Sequence, residues 1–452
     1  MSKFNYSESE QQLIKVIKMN QDDSNQLLNC NNDISYQKAA DNAVASSIDL
    51  LNSLGYDKID IQKSSHNKNN IIRTTSWGNI VKEAENRYNG QIQLEDLFTA
   101  EELKSNEEYL IKLRKEFNNI HRLDAIDWAI PIGAGILSAI INIVLVGIPH
   151  RTKSGTSAGF LSDYIRGIFD KILPPEEMEK LANSSKSKVP FDAQDNRSTK
   201  IYVDGLSTYY HRLLSLAHDP ILAFIVGILD VMNGTMTTID KKGRIAIQVV
   251  DCVNYVGRTE INIFKAFAKV FAHLKTDVIT SMGLPAPLMG LFNLFQFGSI
   301  GEADQTIAEI VQGMYYEGYD FIHFCSMSVP VMITEVIVRV AYGIKRKKEG
   351  HKHYIPIINS REKYPKLGTE LFIANFIATA INAGFVYVNE NPLAINYPQW
   401  IVFVKYSFSQ LKWVIVKKPE LQNKYVQGFI DDEWNDIYFE LEQTWDLYFL
   451  KY

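Results

Sequence analysis

Hydrophobic and polar positions divide the chain into a polar first quarter, a middle of long uncharged runs, and a short tail mixing acids with aromatic residues. In the first quarter, Gln11–Ile17 and Ser35–Leu54 place apolar residues at helical spacing, and Gly55 is a stop signal. Asp57–Asn70 is a polar connector. Thr99 followed by Glu101 and Glu102 is an N-cap with acids in the first turn. The helix it opens runs to about Leu123, with Leu103, Leu110, Leu113 and Phe117 on one face.

The middle holds five apolar runs. Trp128–Ile148 spans 21 residues without a charge, and a bilayer core takes about 20 helical residues. Trp128 stands where an interfacial aromatic anchor belongs, Gly133, Ser138, Ala139 and Asn142 offer small or polar faces to a neighbouring helix, and Pro131, Gly133 and Gly135 would weaken a helix in water. Thr280–Gly301 is interrupted by Pro285 and Pro287, so its helical part, at most Pro287–Phe297, is too short to span. Phe324–Gly343 carries Glu335 and Arg339 four apart, placed to form a buried ion pair. Lys345, Arg346, Lys347 and Lys348 follow at once, a basic cluster expected on the cytoplasmic membrane surface. Leu371–Val388, with Asn375 and Asn382, is a fourth run, and Trp400–Val416, broken by Lys405 and Lys412, a fifth.

Between the runs, Lys153–Lys200 reads as a linker, with Pro174-Pro175 and a Ser/Lys stretch. Leu206–Asp219 reads as a helix, and Pro220 opens a second. Thr235–Ile239 and Arg244–Val250 flank a turn ending in Gly243, the pattern of a β-hairpin. Asn262–Leu274 is amphipathic, with Phe264, Phe267, Val270 and Phe271 on one face. From Asp431 the tail spaces its aromatic residues as an amphipathic helix that docks on the chain's basic block or on a partner. The pattern predicts a mainly α fold. A soluble acidic helical region (1–125) precedes a hydrophobic multi-helical body with one small β-hairpin (126–418), and an acidic aromatic tail (419–452) follows.

Composition narrows the classes. Hydrophobic residues are 46% and charged residues 22% of 452, close to a globular average, which excludes a disordered chain or a coiled-coil rod. A mean hydropathy of −0.12 argues against a polytopic transporter. The net charge of −5 is unevenly spread. Residues 1–127 hold 15 bases and 20 acids, 344–418 hold 12 and 4, and 419–452 hold 2 and 8. No basic surplus points to nucleic acid. Three scattered cysteines make no disulfide framework or CxxC clamp. The first residues lack the apolar core of a secretory signal, so a start in the cytosol is expected.

No phosphate loop, dinucleotide fingerprint, HExxH or GxSxG is present. The sharpest candidate for chemistry is His211 with the pair His218-Asp219. His211 and His218 are two helical turns apart and can share a face, as in HD-type metallophosphohydrolases, where the metal activates water. Asp230, Asp240 or Asp251 would supply the last carboxylate. The competing reading is that Asp219 caps the helix opened by Pro220. Asp230 interrupts an apolar helix and needs a partner, with Arg212, Arg244 and Arg258 available. Asp320 and His323, three apart, are a second metal or acid–base pair. His351 and His353 lie among lysines and read as solvated.

Several stretches together resemble an uncharacterised family of bacterial proteins associated with mobile elements. They are Asp127-Trp-Ala-Ile with the run to Gly147-Ile-Pro149, Leu214-Ser-Leu-Ala-His218, Phe297-Gly-Ser299, and Glu317-Gly-Tyr-Asp320 leading to Ser328-Val-Pro330, within about residues 125–345. The resemblance implies an architecture and no activity. The leading expectation is a bacterial membrane protein with cytoplasmic portions, acting as a membrane effector or accessory factor of a mobile element or defence system. The alternatives are a cytoplasmic α-helical scaffold and a metal-dependent phosphohydrolase of HD-like type. A lipid bilayer and a homo-oligomer or protein partner are expected, nucleic acid is not, and no cofactor is predicted.

Overall fold

A computed structural model describes residues 5–29, 42–50, 76–152, 155–250, 259–298, 304–351, 355–358, 360–361 and 363–449. The expected connector Asp57–Asn70, parts of Ser35–Leu54, Cys30, Cys252, Asp251, Arg258, Ser299 and His353 lie outside them. The fold is mainly α, with two small two-stranded antiparallel sheets. The chain divides into two compact units, residues 1–120 with 418–452, and residues 121–417.

The first unit holds α1 (Glu8–Asn29), a helical stretch at 42–50 (α2), α3 (Trp77–Arg87), α4 (Ala100–Ile120) and α15 (Lys418–Phe449). Val16 and Met19 of α1 bury against Ile80, Val81 and Ala84 of α3. An Arg87–Asp23 ion pair at 2.6 Å closes their edge. The first half of α15 packs on α4, whereas the aromatic residues expected to dock, Trp434, Tyr438 and Phe439, are exposed. Phe117 meets Tyr425 with ring centres 5.6 Å apart, and the Tyr109 hydroxyl donates to Glu433 at 2.6 Å.

The second unit is a helical bundle joined to a lobe of shorter helices and two hairpins. The bundle comprises α5 (Ala125–Ile141), α12 (Phe321–Lys348), α13 (Leu367–Asn389) and α14 (Tyr397–Lys412). Asp124 caps α5, its carboxylate accepting from the Ile126 and Asp127 N–H groups at 2.9 Å. Gly135 lets α5 and α13 touch, since a Cβ there would stand 2.5 Å from the Ala374 carbonyl oxygen. Gly133 faces open space. Asn142, Asn375 and Asn382 meet in one buried polar ladder. Asn396 donates to Asn142 at 2.7 Å and, through its backbone, to Asn382 at 3.0 Å, while Gln399 donates to Asn375 at 2.9 Å. Such bonds hold helices together where the surroundings are apolar.

Glu335 and Arg339 pair at 3.1 Å, half-buried, with Tyr406 donating to Glu335. The basic cluster is partly consumed inside the unit. Lys345 pairs with Asp124 and Asp127, and the Arg346 guanidinium lies 5.2 Å over the Tyr364 ring. Lys345 is therefore an internal tie rather than a headgroup contact.

The lobe contains α6 (Phe160–Ile172), α7 (Pro175–Ala182), α8 (His211–Leu214), α9 (Val226–Asn233), α10 (Ile263–Val278) and α11 (Ile307–Tyr316). Strands β1 (His150–Thr152) and β2 (Gly155–Ser157) form one hairpin, β3 (Thr235–Ile239) and β4 (Ile245–Val249) the other. The second is the expected hairpin, in register from Thr235↔Val249 to Ile239↔Ile245. Its turn is fixed by the Asp240 carboxylate, which accepts from the Lys242 and Arg244 N–H groups, and by Gly243 at φ +78°.

Three sequence expectations change. The segment read as a linker contains α6 and α7, because Pro175 stands at the first helical position with Glu176 and Glu177 behind it, a helix start. Leu206–Asp219 is not one helix. It breaks into α8 and a 3-10 turn at Leu216–His218, because Ser215 is extended and its backbone bridges to Thr238 of β3. Pro287–Phe297 forms only a 3-10 turn, Met289–Leu294.

Candidate metal centre

Five titratable side chains from four pieces of the lobe converge below its surface. Asp192 comes from the segment after α7, His211 opens α8, and His218 ends the following 3-10 turn. His273 and Asp277 lie four apart on α10 and share its inner face. Asn262 starts that helix, its side-chain oxygen accepting from Phe264 and Lys265 N–H groups at 3.0 and 3.1 Å. Its buried stripe is Ala266, Val270, His273 and Asp277, while Phe264, Phe267 and Phe271 face outward.

The ligand atoms form two overlapping triads that share His218, Asp192–His211–His218 and His218–His273–Asp277, each within 4.8 Å. In the second, His218 Nε2 is 3.2 Å from His273 Nε2 and 3.6 Å from Asp277, and His273 Nε2 is 3.3 Å from Asp277. Ligands about 2.05 Å from a tetrahedral ion stand about 3.3 Å apart, so these edges suit one ion. In the first triad, Asp192 lies 3.4 Å from His211 Nε2 and 3.8 Å from His218 Nε2. Nδ1 of His211 is 3.0 Å from the Thr208 carbonyl, which only accepts, so that nitrogen carries the proton and Nε2 keeps a lone pair. That Nε2, buried, makes no hydrogen bond.

Burial pushes the His218 imidazole down to about 4, against the pull of Asp192, so it is neutral near pH 7. Burial works to raise Asp192, but the close His211 and His218 imidazoles outweigh it and hold its carboxyl well below the usual range. Asp277 is lowered likewise, burial being outweighed by His273 and Arg212. Arg212 grips Asp277 with Nε at 3.0 Å and a second nitrogen at 3.2 Å. Two carboxylates face a single guanidinium, so a cation bound among the imidazoles has a carboxylate to pair with. Phe191 closes one side, its ring edge-on to His218 at 5.1 Å and to His273 at 5.4 Å. Asp192 alone of the five keeps a sizeable exposed fraction, 25% against 6% or less for the others.

The sequence candidates divide accordingly. His211 and His218 belong to the cluster, but Asp219 does not. One of its oxygens accepts from the Ile221 and Leu222 N–H groups at 2.9 and 3.0 Å, the other from Leu288, so it caps. Asp230 is held by the Thr235 and Thr237 hydroxyls at 2.6 and 2.8 Å. Asp320 caps α12 through the His323 N–H and pairs with Arg166 at 2.8 Å, while the His323 ring meets Ser162 at 3.3 Å. Asp320 and His323 thus point to different partners and form no joint site. Three contributors were missed. His273 and Asp277 had a readable signal, the four-residue spacing on a helix, whereas Asp192 had none. No family model, curated protein or solved structure matches the chain.

Proposed function

We propose that this chain is a membrane-associated metalloenzyme. His218, His273 and Asp277 hold one divalent transition-metal ion, and Asp192 with His211 serves as the acid–base pair beside it. The observation that carries the reading is the convergence of three imidazoles and two carboxylates on one buried point. The donors are nitrogen and oxygen only, which suits zinc, iron or manganese. An ion in the triad would lower the pKa of a bound water. Asp192, on the open side, is placed to take that proton. The HD-type arrangement is not the basis of this reading, since Asp219 is spent on backbone N–H groups.

Membrane association draws support from three helical stretches long and apolar enough to cross a bilayer, α5 with the helical turn that follows it to Val146, Phe321–Lys348 and Leu367–Asn389. In each apolar window fewer than half the residues are buried, 39–44%. Ile140, Val144, Met332, Val336 and Phe376 are exposed on the bundle, and large apolar side chains exposed in this number call for a cover. On α6, Phe160, Tyr164, Ile168 and Ile172 form a second exposed stripe.

The test is elemental analysis of the detergent-purified full chain, with flotation on phospholipid vesicles. About one transition-metal ion per chain, lost in His218→Gln and His273→Gln with helicity unchanged, is expected. Failure to bind zinc, iron, manganese, cobalt or nickel overturns the metal assignment. Full recovery in the supernatant without detergent overturns the membrane assignment.

A further inference from the structure

A cavity of about 1040 Å³ lies between α11, the 3-10 turn at Met289–Leu294 and the C-terminal end of α13. It is separate from the histidine cluster, none of whose residues line it. Its depth is apolar, walled by Met289, Phe292, Ile310 and Met314. Of its polar lining, Gln305 and Glu390 are exposed at the mouth, while the half-buried Asn391 spends its side-chain oxygen on the Leu393 N–H at 2.9 Å. The Tyr319 hydroxyl in the wall is already spent, donating to the Ile395 carbonyl and accepting from the Tyr397 N–H at 3.0 Å. The depth therefore presents little that could satisfy a polar ligand, and the rim does.

The volume stands at the upper end of the range for ligand pockets, about 300–1,000 Å³. A mainly apolar wall with a polar rim fits an amphipathic molecule, each buried CH₂ of which contributes about 0.8 kcal/mol. The mouth also takes Val386 and Tyr387 from the last turn of α13, one of the helices long enough to span. Glu390 ends that helix in the left-handed region, at φ +50°, where glycine is the usual residue.

We propose that this cavity is a lipid-binding site, taking an acyl chain into the Met289–Ile310–Met314 depth and a headgroup at the Gln305–Glu390 rim. Entry from a bilayer along α13 rests on the membrane placement proposed above; the binding of an acyl chain does not. The full chain, purified in detergent, is extracted and its lipid identified by mass spectrometry, and the same protein is titrated with cis-parinaric acid. About one bound lipid per chain and saturable probe binding are expected. Ile310→Trp and, separately, Val386→Trp lower both at least tenfold while helicity and metal content stay unchanged. A two-chain phospholipid in the extract identifies the bilayer as the source, and a free fatty acid identifies a soluble one. Absence of both lipid and saturable probe binding in the folded wild type overturns the proposal, as does full retention of lipid in both folded variants. Metal content and vesicle flotation are read independently, so failure here is distinct from failure of the metalloenzyme or membrane reading.

Discussion

The Nε2 atoms of His218 and His273 face each other 3.2 Å apart, inside a site where His218 has no solvent contact. Two imidazole nitrogens so placed hold together only if one donates to the other or a cation stands between them. The expected outcome is metal-dependent stability. Chelation should lower the melting temperature, and adding back zinc or manganese should restore it, with about 2.7 kcal/mol gained at a free-ion concentration 100 times Kd. His273→Gln should abolish the metal-dependent part. A melting curve indifferent to chelator and to every ion tested would contradict the assignment.

Asp219 separates this centre from an HD-type one. Asp219→Ala should cost about 1–3 kcal/mol, because it removes a cap and leaves the Leu288 N–H without its acceptor. Metal content should be unchanged in the folded fraction. Loss of metal together with retained stability would return Asp219 to the ligand set. Thermal melts and elemental analysis on the same sample read both.

The pH dependence follows from His218, which Asp192, His211, His273, Asp277 and Arg212 surround. Its folded value is pushed down to about 4 by burial, against about 6.5 in an unfolded chain. Between those values the unfolded chain holds a proton that the folded one lacks, so stability rises with pH across the window. The contribution is full above pH 6.5 and lost toward pH 4, on the order of 3 kcal/mol. Asp192 and Asp277, both lowered, add loss in the same direction at still lower pH. Thermal melts of the chelated protein from pH 7.5 to 4.5 should show this slope, and His218→Gln should flatten it.

How much of this was legible in the sequence depends on whether local chemistry or distant packing decides. The β3–β4 hairpin was readable because Asp240 and Gly243 dictate the turn on their own. The bundle helices α12 and α13 were readable because their apolar runs outlast any strand. The break at Ser215 was not, since it is imposed by pairing with Thr238, 23 positions away. On α10 the aromatic stripe of Phe264, Phe267 and Phe271 suggests a core face, yet the smaller stripe with His273 and Asp277 is the buried one. Asp192 joins the site only through the tertiary fold, and nothing in its neighbourhood marks it.

Gly133 and Gly135, alike in sequence, should behave oppositely. Gly135→Val places a side chain against the Ala374 carbonyl and Ile377 and should destabilise the bundle by about 1–3 kcal/mol. Gly133→Ala meets nothing within 4 Å and should be neutral or stabilising by up to about 1 kcal/mol through helix propensity. Equal effects in thermal melts would mean that α5 and α13 do not meet at Gly135.

The outer face of the bundle decides between lipid and water. Ile140 on α5, Val336 on α12 and Phe408 on α14 are all exposed. Helix α13, 23 residues long, measures about 35 Å at 1.5 Å per residue, enough for a hydrocarbon core of about 30 Å. A bilayer satisfies these side chains without a protein partner, whereas in water they would drive self-association. With the three native cysteines replaced by serine, single cysteines at positions 140, 336 and 408 can carry a fluorophore in lipid nanodiscs. Brominated lipid should quench all three, while a label at Glu176 on the exposed start of α7 should respond to aqueous iodide instead. Iodide quenching at the bundle positions, with no response to bromolipid, would place that face in water and leave self-association as the way its apolar residues are covered.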